Sequence, residues 1–248
     1  MAYGIKLYVS GEYACFTRPE MKSERVTYEV MTPSAARGVL EAIYWKPQMR
    51  WRVHRIRVLN PICFANIRRN ELGSRMQKPT HAQMKGEIGK PLGLFVEDER
   101  QQRATLLLRD VAYVIEASVE VVDPRFEKEG RMLPEAECAA KHLEMFKRRA
   151  RKGQYFHHPY LGCREFAAKF KLLEETDPLP ESRLPEGERD RDLGWMLHDI
   201  AFLPAKKKDE DAFMESNQKR LVRAEPRFFR AVMKDGIIEV PAFSNATA

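Results

Sequence analysis

Tyr44, Lys141 and His142 are, by residue type, the groups of this chain best suited to moving protons at a phosphodiester. Tyr44 stands in the stretch AIYWKP, and the other two stand side by side in AAKHLEMFKRRARKGQ, residues 139–154. A phenol, an ammonium and an imidazole suit metal-independent cleavage of RNA. In that reaction the ribose 2′-hydroxyl loses a proton as it attacks phosphorus, the 5′-oxygen gains one as it leaves, and the phosphorane between carries extra negative charge. A histidine titrates near neutral pH and can give or take a proton. A lysine is a fixed cation for the phosphorane, and a tyrosine hydroxyl can orient the nucleophile or help deprotonate it. The same residues also fit a structural role, with the lysine and histidine on a helix face and Tyr44 as a core aromatic whose hydroxyl finds a nearby partner. The choice between the two depends on whether the fold brings them together.

The elements that would position them can be read from periodicity. Residues 4–16 predict a strand with a candidate break at Gly11. Thr32 can cap a helix whose first position Pro33 fills, and Ala36, Val39, Leu40 and Ile43 then recur at helical spacing up to Tyr44, with Pro47 beyond. A strand over 51–59 follows, and residues 60–105, with glycines 73, 86, 89 and 93 and prolines 79 and 91 among charged residues, read as a long inserted loop. Val111, Tyr113, Ile115, Ala117, Val119 and Val121 alternate along a strand over 106–122. Pro134 opens a second helix with Ala139, Leu143, Phe146 and Ala150 as its apolar stripe and Gly153 at its end, and residues 163–173 predict another strand.

The order β-α-β-β-α-β is the split unit of a ferredoxin-like fold, which places the chain in the α+β class. In that unit both helices lie antiparallel on one face of the sheet, so the end of the first approaches the start of the second and Tyr44 can meet Lys141 and His142. The expected domains are residues 1–173, an exposed Pro- and charge-rich linker over 174–193, and a small antiparallel β domain over 194–248. Asp235-Gly236 between apolar runs marks a hairpin in the last of these.

Basic residues are plentiful around the candidate pair. Lys147, Arg148, Arg149, Arg151 and Lys152 crowd the end of the second helix, Arg50, Arg52, Arg55 and Arg57 stud a strand, and Arg68 and Arg69 open the inserted region. Any one cluster fits a solvated face complementing a helix dipole; several together favour phosphate contacts. Across the chain, 43 Lys and Arg against 36 Asp and Glu give a net charge of +7, which suits a polyanionic partner. A general double-stranded DNA binder would need only that charge.

Other chemistries find less support. His157 and His158 are adjacent and lack a nearby carboxylate or thiol at ligand spacing, so they read as structural or RNA-contacting rather than metal-binding, and His198 reads as a core or edge residue. The four cysteines, Cys15, Cys63, Cys138 and Cys163, form no C-x-x-C pair and read as reduced thiols. The sequence has no G-x-x-x-x-G-K-[ST] phosphate loop and no G-x-S-x-G elbow. With neither a signal-peptide pattern at the start nor an apolar run of about 20 residues, the expectation is a soluble cytoplasmic protein.

The segments GEYACFTRPEMKSERVTYEVMTPSAARGVLEAIYWKP, RDVAYVIEA, KHLEMFKRRARKGQ, LGCREF and LGWMLHDI, in this order, resemble the CRISPR-associated RAMP proteins of subtype I-C, which process precursor CRISPR RNA. The resemblance implies a ferredoxin-like N-terminal domain of the RRM-like type and a small C-terminal β domain. It implies recognition of the repeat hairpin and cleavage on its 3′ side without metal or cofactor, leaving a 5′-hydroxyl and a 2′,3′-cyclic phosphate. The family's catalytic tyrosine maps onto Tyr44, and its lysine and histidine map onto Lys141 and His142. Lys46, Lys147, Arg148, Arg149, Arg151, Arg68 and Arg69 are the candidate RNA contacts. Expected partners are precursor and mature CRISPR RNA and the backbone and large subunits of the type I-C surveillance complex, with target double-stranded DNA a further candidate and no membrane. The alternative is a non-catalytic RNA-binding subunit capping the 5′ handle of the guide.

Overall fold

A computed structural model of the 248-residue chain describes residues 4–21, 23–74, 76, 78–86, 93, 95–122, 127–128, 131–132, 134–205, 213–215 and 220–247. Strand β1 (Gly4–Ala14) is followed by β2 (Arg25–Val26), helix α1 (Pro33–Ile43), β3 (Met49–Val58) and β4 (Cys63–Leu72). Two short helices, α2 (His81–Met84) and α3 (Val96–Glu99), lead into β5 (Arg100–Val121), the pair β6 (Glu127–Lys128) and β7 (Arg131–Met132), and helix α4 (Glu135–Arg151). The remaining strands are β8 (Lys169–Leu173), β9 (Arg191–Pro204), β10 (Phe213–Glu215), β11 (Arg220–Lys234) and β12 (Ile237–Glu239).

The main sheet is almost entirely antiparallel and runs β10-β11-β12-β3-β5-β1-β8, with β9 on β11 and both β2 and β4 on β5. Strand β5 is its axis. Its residues 111–121 alternate sides as their sequence predicts: Val111, Tyr113, Ile115 and Ala117 are buried under the helices, with Leu7 and Val9 of β1 and Trp51 and Ile56 of β3. Val39, Leu40 and Ile43 of α1 and Leu143 and Phe146 of α4 close this core from above. The opposite face holds a smaller apolar group, Leu59, Ala112, Val114 and Leu173, with Tyr8 against it.

The expected inserted loop over 60–105 is where sequence and structure part most. Its glycine 89 and proline 91 lie outside the described residues, but the stretch begins with a ten-residue strand: β4 pairs with β5 from Cys63 opposite Arg109 to Leu72 opposite Arg100. The alternation in CFANIRRNEL is real, since every second residue is more exposed, yet arginines fall on both faces and hide it. The partner stretch also begins nearly 30 residues later, beyond the reach of local propensity. Asp110, with φ 50°, marks the place where β5 exchanges β4 for β3 as a neighbour.

Other differences are smaller. Strand β1 runs through Gly11 without a break, Gly11 standing opposite Val111. The strand expected over 163–173 starts only at Lys169, because Gly162 (φ 82°) and a turn closed by Phe166 N–H to the Cys163 carbonyl (3.0 Å) occupy the beginning of that stretch. In the stretch expected as a linker over 174–193, residues 174–190 are mostly exposed, but Leu184 is buried in the core, the Arg183 amide donates to the Leu59 carbonyl (2.7 Å), and β9 already begins at Arg191. The Asp-Gly hairpin is present: Lys234 faces Ile237 across Asp235 and Gly236, whose positive φ values of 48° and 71° match the right-handed twist of the flanking strands. Strand β12 also pairs with β3, so the C-terminal strands extend the same sheet, and Arg37 of α1 forks onto Asp199 of β9 at 2.6 and 2.9 Å.

Candidate active site

The site is built at the end of α1. Thr32 Oγ1 accepts from the Ala35 amide (3.2 Å) and Pro33 fills the first turn, so the helix begins as its sequence dictates. It ends where Tyr44 turns to extended backbone (φ −156°, ψ 126°) ahead of Pro47. The last carbonyls of a helix have no partner within it. Here tertiary groups supply them: the Ala42 carbonyl accepts from the Phe156 amide (2.8 Å), Ile43 from Arg149 Nη1 (3.1 Å), and Tyr44 from the indole N–H of Trp51 (3.0 Å). Trp51 is itself fixed edge-on against Phe146 of α4, with ring centroids 4.7 Å apart. The end of α1 thus meets the far half of α4 and the loop after it, not just the start of α4 as the topology alone suggests.

Tyr44 reaches back along α4 to His142. Its hydroxyl lies 2.9 Å from His142 Nδ1, with the rings 5.9 Å apart and inclined at 44°. The phenol can donate to Nδ1, which fixes the tautomer with hydrogen on Nε2, or accept from it. On the other side of the phenol, the guanidinium of Arg149 stands 5.3 Å from the ring centroid. His142 and Arg149 are seven residues apart and share one face of α4. That spacing was legible in the sequence; its meaning was not, and Arg149, taken there as a phosphate contact, braces Tyr44 and the end of α1.

The surroundings of both members of the pair favour their neutral forms. Burial, and then the charges of Lys141 and Lys46, push the His142 pKa below its ordinary value. Burial raises that of Tyr44, with Arg149 opposing. A hydrogen-bonded neutral phenol and imidazole can pass a proton between them without either carrying a net charge before reaction. Tyr44 is 3% exposed and His142 0%, whereas Lys46 and Lys141 are exposed, so a substrate that touches the pair must displace side chains that cover it.

The remaining basic candidates do not form a uniform grip. Lys147 pairs with Glu144 one helical turn before it (3.6 Å), and Arg151 forks onto Glu174 at 2.7 and 3.1 Å. Arg69 is held by Thr105 (3.0 Å), Glu71 (3.2 Å) and Glu165, so it knits β4 to its surroundings rather than facing solvent. Arg68, its neighbour on the other face of β4, and Arg148 are exposed. His157 and His158 follow α4, and the His157 amide reaches the Ala42 carbonyl (3.3 Å). His198 Nε2 bonds the Pro241 carbonyl (2.9 Å), which suits its reading as a core residue.

Residues 4–241 match the family model described as CRISPR-associated protein (Cas_Cas5). The chain is 48% identical over 98% of its length to a protein of Mannheimia succiniciproducens named CRISPR pre-crRNA endoribonuclease Cas5d, covering 97% of that protein. It is 44% identical over 96% of its length to a Thermus thermophilus protein of the same name, covering 91% of it. Its fold matches a crystal structure of a CRISPR-associated protein with a TM-score of 0.60 at 23% identity, over 100% of this chain and 96% of the other. With a match that takes in α1, α4, all of β5 and the hydrogen-bonded Tyr44 and His142, the chain belongs to the Cas5d family of CRISPR-associated proteins.

Proposed function

We propose that the protein is an endoribonuclease that cuts precursor CRISPR RNA at its repeat hairpin, without metal, through Tyr44, His142 and Lys141. The observation that carries this reading is the 2.9 Å contact between the Tyr44 hydroxyl and His142 Nδ1, two groups 98 residues apart in the chain. The names of the two relatives at 48 and 44% identity support the substrate and the reaction. In the proposed step the Tyr44 oxygen takes the proton of the attacking 2′-hydroxyl as its own passes to Nδ1. The proton on Nε2 goes to the departing 5′-oxygen, the P–O5′ bond breaks, and a 2′,3′-cyclic phosphate and a 5′-hydroxyl result. Lys141, next to the imidazole, offsets the charge of the phosphorane.

In the same reading β1, α1, β3, β5, α4 and β8 form a ferredoxin-like unit within residues 1–173, supported by the strand order β3-β5-β1-β8 and by both helices packing over one core. Residues 194–248, whose strands continue the same sheet through the pairing of β12 with β3, act as a smaller C-terminal unit, and the product stays bound by its 5′ handle within a surveillance complex. A second reading, a non-catalytic subunit that caps the guide, is favoured by the burial of the pair. Incubation with repeat-hairpin RNA in EDTA under single-turnover conditions separates the two. Cutting as fast as in magnesium, abolished by a 2′-deoxy group at the cleavage site and by His142→Ala, is expected; tight binding of intact RNA would favour the second reading, and an obligatory metal would end the first.

A further inference from the structure

Beyond the pair, the helix-free face of the sheet carries a set of cations that the proposed chemistry leaves unused. Trp51 points into the core against Phe146, so its neighbours Arg50 and Arg52 point to the opposite face. Both are exposed, and neither forms an ion pair among the described residues; Glu120 and Ser118 stand opposite them on β5. A bulge between Val53 and Arg55 shifts the alternation by one residue, so Arg55 and Arg57 share the face of Arg50 and Arg52, but there Arg55 is paired with Glu239 (2.7 Å) and Arg57 with Glu116 (2.6 Å). Two strands from Arg55, about 10 Å at the usual strand spacing, Lys6 shares this face, opposite Glu116 and further along the sheet than Arg52. Tyr8, partly exposed, lies beside it, with Lys171 opposite Tyr8 on β8.

This face communicates with the candidate active site over an open edge. Strand β12 pairs with β3 only at Arg55, Ile56 and Arg57, so the first half of β3 has no strand on that side among the described residues. That half begins five residues after Tyr44, and Lys46, whose charge is felt at His142, lies on the turn between them. Side chains two apart on a strand repeat at about 6.8 Å, a spacing that Arg50 and Arg52 offer to successive phosphates of an extended chain.

Resting on the endoribonuclease reading, we infer that a single-stranded flank of the repeat RNA leaves the Tyr44–His142 pair past Lys46, crosses the open edge of β3 and lies on the helix-free face. Arg50 and Arg52 hold its phosphates, and Lys6, Lys171 and Tyr8 line the path beyond. Single-stranded RNA fits better than a duplex, because the path bends over a sheet edge, and Tyr8 offers a ring to an unstacked base.

The test compares wild type with R50Q/R52Q on three RNAs: the bare hairpin, and the hairpin with a 5′ or a 3′ single-stranded flank. For one flanked RNA, the slope of log K against log salt should flatten by about 1.4, at roughly 0.7 per single-strand phosphate contact. The affinity deficit of the variant should then shrink about sevenfold between 50 and 200 mM salt. Binding of the bare hairpin, its cleavage and the melting temperature should match wild type. Equal slopes on all three RNAs would overturn the inference and leave the face to an acidic protein partner; an equal loss on all three would overturn it in favour of the stem. Wild-type protein that fails to cut any of the three would instead count against the endoribonuclease reading itself.

Discussion

Replacing Tyr44 by phenylalanine removes one oxygen from a site that is almost fully buried, and its consequences can be worked out from the geometry. The ring keeps its place against His142 and Arg149, but Nδ1 loses a partner at 2.9 Å in a position water does not reach. Leaving a buried polar atom unpaired costs about 1–3 kcal/mol. For a chain of this size each kcal/mol lowers the melting temperature by about 2–4 °C. His142→Leu, which strands the phenol instead, should cost a similar amount through the same bond. Replacing both partners removes the unpaired atom altogether, so the double variant should be more stable than the sum of the single costs by about 1–2 kcal/mol. Urea unfolding of the four proteins measures that difference. Single-turnover cleavage of the repeat hairpin gives a second readout: each single change should slow the reaction about 10²–10⁴-fold, and the double variant should be no slower, because groups that act as one unit fail together. Stability costs that add to within about 0.5 kcal/mol would refute the bond. A Tyr44→Phe protein that cuts at the wild-type rate would refute its role in the chemistry.

Two further outcomes concern the charge on His142 and the turn at Gly162. The His142 pKa is pushed down on folding by burial, Lys141 and Lys46, so the unfolded chain takes up this proton first. Its contribution to stability is complete above about pH 6.5 and is lost as the pH falls from there toward the folded value, at up to about 1.4 kcal/mol per pH unit. His54 shifts the same way, so the stability difference between wild type and His142→Leu, followed by urea unfolding from pH 7.5 to 5, isolates the His142 part; a difference that is flat with pH would refute the shift. Gly162 combines φ 82° with a position where a Cβ would collide with the Cys15 carbonyl, and Gly162→Ala should therefore cost about 2–5 kcal/mol, read as a lowered urea midpoint, from strain and overpacking together. A midpoint unchanged from wild type would show that the turn can yield.

The limits of the sequence reading have physical causes. Helix α1 and most of α4 were legible because a cap and an apolar stripe are local: Thr32, Pro33 and the spacing of Val39, Leu40 and Ile43 suffice for the first. The Asp235-Gly236 hairpin was legible for the same reason, since the two positive φ values belong to those residues and their neighbours. Strand β4 was hidden because its stability lies in ten pairings with β5, a partner that no window around CFANIRRNEL contains. Among the site residues, type and spacing singled out Tyr44, Lys141 and His142 as capable of chemistry but could not distinguish an exposed pair from a buried one.

The sequence by itself determined where the chain would be helical near the site, that the chain carries a strong positive charge, and which side chains could exchange protons. Only the tertiary structure decided that the Tyr44 hydroxyl meets His142 Nδ1, that Arg149 braces Tyr44 and the end of α1, and that Arg69 and Arg151 are held by carboxylates. Those outcomes depend on distances between residues far apart in the chain, on the burial that shifts a pKa, and on which cations find a counter-charge, and none of these is a property of a residue and its neighbours in sequence.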